Sequence, residues 1–85
     1  MTPAALNEAL ALAEAAHSVR DAASTLRKRF APLRVVVVDA ADMRGEPPAA
    51  SGATKALYFG ASDGHCWTLT TDAARAAGLF IAEQV

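Results

Sequence analysis

The stretch that most constrains this chain is Ala56 to Thr70, ALYFGASDGHCWTLT, where Asp63-Gly64 separates two runs rich in aromatic and β-branched residues. An Asp-Gly pair in that setting is the strongest short-range hairpin signal, because a type I′ turn needs positive φ at both central positions. A two-residue loop then fixes the register. Ser62 is expected opposite His65, Ala61 opposite Cys66, Gly60 opposite Trp67, Phe59 opposite Thr68 and Tyr58 opposite Leu69. Opposed residues share a face. One face therefore carries Tyr58, Gly60, His65, Trp67 and Leu69, with Trp67 lying across Gly60, and the other carries Leu57, Phe59, Ala61, Cys66, Thr68 and Thr70.

The rest of the chain is read around this hairpin. Thr2 is a good N-cap and Pro3 a good first helical residue, after which Ala-rich sequence runs to Pro32 without Gly or Pro. This predicts a long helix over 3–30. Ala5, Ala9, Leu12, Ala16, Val19, Ala23, Leu26 and Phe30 form a heptad-like seam that Leu6, Leu10 and Ala13 widen. Ser18-Val19-Arg20-Asp21 also matches a capping box, so a break near His17 and a second helix is an open alternative. Four consecutive valines predict a strand over 34–40. Residues 41–54, with Gly45, Pro47, Pro48 and Gly52, predict a long loop. The hairpin occupies 56–70, and a helix over 71–84, capped by Thr70 or Thr71, is expected to follow. Gly78 leaves another reading open, a helix ending at Ala77 and a fourth strand over 79–85. The expected architecture is one small α+β domain over 1–85 with two layers: a long N-terminal helix, a three-stranded antiparallel sheet and a C-terminal helix.

Composition narrows the function classes. The net charge of −1 gives no bulk reason to expect nucleic acid or an anionic membrane as partner. A single cysteine excludes an internal disulfide and a multi-thiolate metal site, which fits a reducing cytoplasm. Glu8 and Glu14 interrupt the N-terminal apolar residues, which lack a basic leader, so neither a signal peptide nor a membrane span is expected. About a quarter of the residues are Ala, and Ala contributes little apolar area, so the core is expected to be thin.

The residues able to carry chemistry are few. Asp63, His65 and Cys66 are the components of a nucleophilic centre. Adjacent strand residues leave opposite faces, however, so His65 and Cys66 are not expected to pair. Cys66, sharing a face with Leu57 and Phe59, is expected to be buried and inert. At the other end of the sheet, the returning helix would bring His17 towards Asp39 and Asp42, a candidate set for a divalent metal. At the same end, Arg44 beside a helix start at Thr70 and Thr71 is a candidate small-anion site. The seam residues Leu6, Leu10, Leu12 and Ala13 are the candidate interface for a homodimer or another protein partner, because a short sheet covers only part of a ~42 Å helix.

Asp42-Met43-Arg44-Gly45-Glu46-Pro47-Pro48 and Gly64-His65-Cys66-Trp67-Thr68 resemble a family of small uncharacterised proteobacterial proteins, some of them described as nitrogen-fixation proteins. The resemblance implies a cytoplasmic accessory protein of a nitrogen-fixation gene cluster and carries over no catalytic residue. The expected function is a non-enzymatic accessory or interaction module, without cofactor, that self-associates or docks through its N-terminal helix. The alternative is a small-molecule or anion-binding protein, enzymatic or not, that uses the edge formed by the 41–54 loop and the start of the last helix.

Overall fold

The computed structural model describes residues 1–84. Two helices, α1 (Pro3–Ala15) and α2 (Val19–Arg29), precede β1 (Arg34–Val37), β2 (Ala50–Ser51), β3 (Lys55–Ser62), β4 (Trp67–Thr70) and β5 (Gly78–Glu83). Short 3₁₀ turns at Ala40–Met43 and Ala73–Arg75 interrupt the connections. The expected continuous helix over 3–30 is therefore replaced by two. Thr2 Oγ1 caps α1 by accepting from Ala5 N at 3.1 Å, and Ser18 Oγ caps α2 by accepting from Asp21 N at 3.1 Å. Ala16 is extended between them. Breaking there folds α1 back beside α2, which covers apolar surface that a straight helix would leave bare.

The sheet has five strands in place of the three expected, and it is mixed. Its order is β1-β5-β3, with β2 and β4 paired end to end along the outer edge of β3. β1 and β5 run parallel, with Val35 opposite Leu79 and Val37 opposite Ile81, while β3 and β5 are antiparallel from Lys55–Glu83 to Gly60–Gly78. The expected helix over 71–84 is absent. The cap signal at its start closes only a 3₁₀ turn, with Asp72 Oδ1 accepting from Ala74 N at 2.9 Å, and Gly78 opens a strand. That strand is the fourth one left open by the sequence, and of its range 79–85 only Val85 lies outside the described residues. Within the expected strand 34–40, pairing ends at Val37 apart from a Val38 N–H donated to Ile81 O. The expected loop 41–54 contains the end of a 3₁₀ turn and the short β2.

The hairpin exists with a different turn. Ser62 pairs with Trp67 and Gly60 with Leu69, so the loop is the four residues 63–66 and the register is displaced by two from the expected one. Only Gly64, at φ 96°, has positive φ there. Asp63 Oδ1 accepts from His65 N and Cys66 N, both at 2.8 Å, which closes the turn from its own side chain. A two-residue displacement leaves the paired side chains on their expected faces, while His65 and Cys66 pass from strand to loop.

Both helices pack on one face of the sheet. There Ala9, Ala13, Ala22, Ala23 and Leu26 meet Val35, Leu57, Phe59, Leu79 and Ile81. The four fully buried alanines explain how so small a core closes, since they let the two helices and the sheet approach closely. The other face has a second cluster of Ala56, Tyr58 and Ala82 with Val38, Met43, Leu69 and Phe80 around it. Among the described residues, no α-helix covers that face. Among the described residues, no helix is long and apolar enough to cross a membrane.

Candidate functional site

The helix-free face is shaped by a flat glycine floor and an overhanging loop. Gly60 and Gly78 are cross-strand partners, and the Trp67 ring lies over both. A Cβ on Gly60 would stand 3.1 Å from the indole, and one on Gly78 would stand 2.8 Å from the Arg34 carbonyl oxygen. Trp67 also meets Phe80 at 6.1 Å between ring centres, tilted by 56°. The expected direct pairing of Gly60 with Trp67 does not occur, since Gly60 opposes Leu69, but the indole still reaches Gly60 diagonally, and no local signal shows Gly78 completing the floor.

Beside this floor, the segment that follows β1 folds over Tyr58. A cavity of about 660 Å³ is lined by Asp39, Ala41, Met43, Arg44, Glu46, Tyr58 and Glu83 among others, and an adjoining one of about 320 Å³ by Glu46, Pro47, Tyr58, Leu69, Thr70 and Thr71. Such volumes fall within the range of about 300–1,000 Å³ common to small-molecule sites. Tyr58 and Glu46 belong to both cavities. Tyr58 is only 8% exposed. Among the described residues no buried side-chain nitrogen or oxygen is left without a hydrogen-bond partner.

The residues singled out from sequence distribute unevenly around this cleft. Arg44 lines the larger cavity, whereas Thr70 and Thr71 line the smaller, so the proposed anion set is divided. The helix start it relied on is a 3₁₀ turn of three residues. Asp39 is in the larger cavity, but His17 lies in a separate cleft of about 520 Å³ on the helix side, with Glu14, Ser18, Lys55, Glu83 and Gln84. Asp42 lines none of these three cavities. Among the described residues, no group of three His, Cys, Asp or Glu side chains is placed to hold a metal ion, so His17, Asp39 and Asp42 are not brought together. Leu6, Leu10 and Leu12 are half-buried against the core and Ala13 is fully buried, so most of the candidate interface is used within the chain. Cys66, expected buried, is exposed in the hairpin loop beside the exposed His65.

The second cleft holds a contact that no local sequence signal announced. The Glu14 carboxylate accepts from Ala53 N at 2.9 Å, Thr54 N at 3.0 Å, Thr54 Oγ1 at 3.0 Å and Lys55 N at 2.6 Å. Desolvation opposes its charge, but the hydrogen bonds from Thr54, Lys55 and Ala53 outweigh it, and the carboxyl is held below its ordinary value. Lys55, itself 5% exposed, donates from Nζ to Ala16 O at 3.3 Å and to Thr54 Oγ1 at 3.2 Å. Together these bonds fasten the end of α1 to the β2–β3 connection.

Tyr58 and Glu83 are the functional candidates that sequence reasoning missed. Tyr58 was visible as a member of the Trp67 face, yet nothing local showed that a loop would arch over it. Glu83 falls in the expected helix over 71–84 or, in the other reading, in the fourth strand over 79–85, and neither reading brings it to the 41–54 loop. A family model for a family of unknown function, DUF6129, matches residues 8–84. No curated protein and no solved structure matches the chain. With the match running from within α1 to the residue after β5, the chain belongs to the DUF6129 family.

Proposed function

We propose that this chain is a non-enzymatic accessory module that acts by binding a small ligand in the cleft around Tyr58. The observation that carries this reading is Tyr58 itself, a largely buried side chain shared by two adjoining cavities. A phenol that lines two adjoining cavities is suited to orient a ligand through its hydroxyl. None of His17, His65 and Cys66, the chain's imidazoles and thiol, lines either cavity, which favours binding over acid–base or nucleophilic chemistry. The resemblance over 42–48 and 64–68 supports a bacterial, cytoplasmic setting and a link to nitrogen fixation. Docking through α1 has less support, because its leucines already face the core.

The test is an amide NMR survey of the protein against a chemically varied set of small fragments. Resonances that move are expected to cluster at 39–48, 58, 69–71 and 83–84. A cluster elsewhere, or no movement with any fragment, contradicts the reading.

A further inference from the structure

The turn between β2 and β3 gathers hydrogen-bond donors on a single anion. Ala53 N, Thr54 N, Thr54 Oγ1 and Lys55 N reach the Glu14 carboxylate at 2.6–3.0 Å. Consecutive backbone N–H groups turned to one point form a concavity suited to anions. Gly52 makes room there, since a Cβ on it would stand 2.5 Å from Glu14 Cδ and 2.8 Å from Oε2. Thr54 Oγ1 also accepts from Lys55 Nζ at 3.2 Å, and the other acceptor for that ammonium, Ala16 O at 3.3 Å, is neutral too. Lys55 is 5% exposed, and the one ion pair among the described residues joins Arg29 to Glu8, so a buried cation stands beside the turn with no carboxylate of those residues in ion-pair contact. Buried charges are ordinarily paired.

We propose that the 52–55 turn is a site for a small oxyanion, filled in cis by Glu14, and that phosphate from solution takes the carboxylate's place and frees the end of α1. The donors of Ala53 and Thr54 lie on the exposed side of the contact, and they open on the cleft of about 520 Å³ that His17 and Ser18 also line. An ion from solution therefore reaches them without unfolding the sheet. An ammonium has three N–H donors, and Lys55 has two of them in use. Phosphate, with more charge and more oxygens than acetate, is held more tightly by such a set. Glu83, opposite Lys55 on β5 and lining the same cleft, is the acidic group that opposes the ion. Because Glu14 must first leave, the parent binds more weakly than a chain without that carboxylate, by the fraction of time the turn is vacant. None of the donors lines the cavities around Tyr58, so the two sites stand or fall separately.

The experiment is an amide NMR titration of the parent and of Glu14→Ala with sodium phosphate and sodium acetate, beside sodium chloride at matched ionic strength. Folding of each variant is checked from its amide spectrum, and Glu14→Gln takes the place of Glu14→Ala should the latter not fold. Phosphate is expected to move the amides of 53–55 saturably in Glu14→Ala, with acetate weaker and chloride without saturable effect. Adding Gly52→Ala to that variant should abolish the phosphate response, because the methyl occupies the space of the anion. In the parent the same amides should respond only at phosphate concentrations roughly tenfold higher or more, the scale of competition from a tethered group, and the amides of 15–18 should move with them as the end of α1 is released. A Glu14 variant whose 53–55 amides ignore phosphate, or follow chloride equally, would overturn the site. Equal phosphate affinity in parent and variant, or a parent whose 15–18 amides stay fixed as 53–55 saturate, would overturn the exchange with Glu14.

Discussion

Glu14 shows how much one side chain can settle. Its carboxylate collects three backbone N–H groups and a hydroxyl from residues about forty positions away, and these bonds outweigh desolvation to hold its pKa below the ordinary value. A depressed carboxyl stabilises the fold fully above its unfolded pKa and loses that contribution as pH falls through the folded value. Glu14→Gln should therefore lower the urea midpoint at pH 7, and the gap to the parent should close at a pH below the folded value; a gap independent of pH would show that the charge is not what matters. Asp63 is lowered in the same direction by hydrogen bonds from Cys66 and His65 N–H groups. Beside it, Gly64 at φ 96° has open space where a Cβ would go, so replacement is costly through backbone conformation alone. Gly64→Val should destabilise by about 1 kcal/mol or more in denaturant unfolding, and an unchanged midpoint would contradict the turn. That glycine was legible in the sequence because its signal is local. The Glu14 contact was not, because nothing in the flanking residues encodes a partner some forty residues on.

At the scale of elements, local signals were sound while their extent was misjudged. Ser18 and Asp21 do start a helix, but Ala-rich sequence on both sides hid the end of the one before it. The cap expected at Thr70 or Thr71 falls to Asp72 and closes only a 3₁₀ turn, and the chain after Gly78 is taken into the centre of the sheet between β1 and β3, where pairing on both sides outweighs helical propensity. The parallel β1–β5 pairing joins segments more than forty residues apart and has no short-range mark. The glycines on the helix-free face give a graded test of this topology. Gly78→Ala places a methyl 2.8 Å from the backbone of β1, which can move only with its strand, whereas Gly60→Ala meets aromatic edges at 3.0 Å and 3.1 Å that can tilt. Thermal unfolding should show Gly78→Ala to be the more destabilising of the two; the reverse order would argue against β1 lying beside β5.

For the whole molecule, the consequence of breaking the N-terminal helix is that both helices cover one face of the sheet and leave the other to a loop. The leucines of α1 that suggested a dimer are packed against the chain's own core, so sedimentation equilibrium should find a monomer at tens of micromolar; a dimer dissolved by Leu6→Asp with Leu10→Asp would instead restore the helix interface. The proposed cleft lies on the open face, and Tyr58 is its natural reporter because the chain has a single tyrosine. The most direct measurement is the NMR spectrum of the isotope-labelled tyrosine ring during fragment addition. Saturable movement of the Tyr58 ring, with the His17 ring on the helix side unmoved, is the predicted result. A Tyr58 ring that stays fixed while fragments bind elsewhere on the protein would contradict the assignment of the cleft.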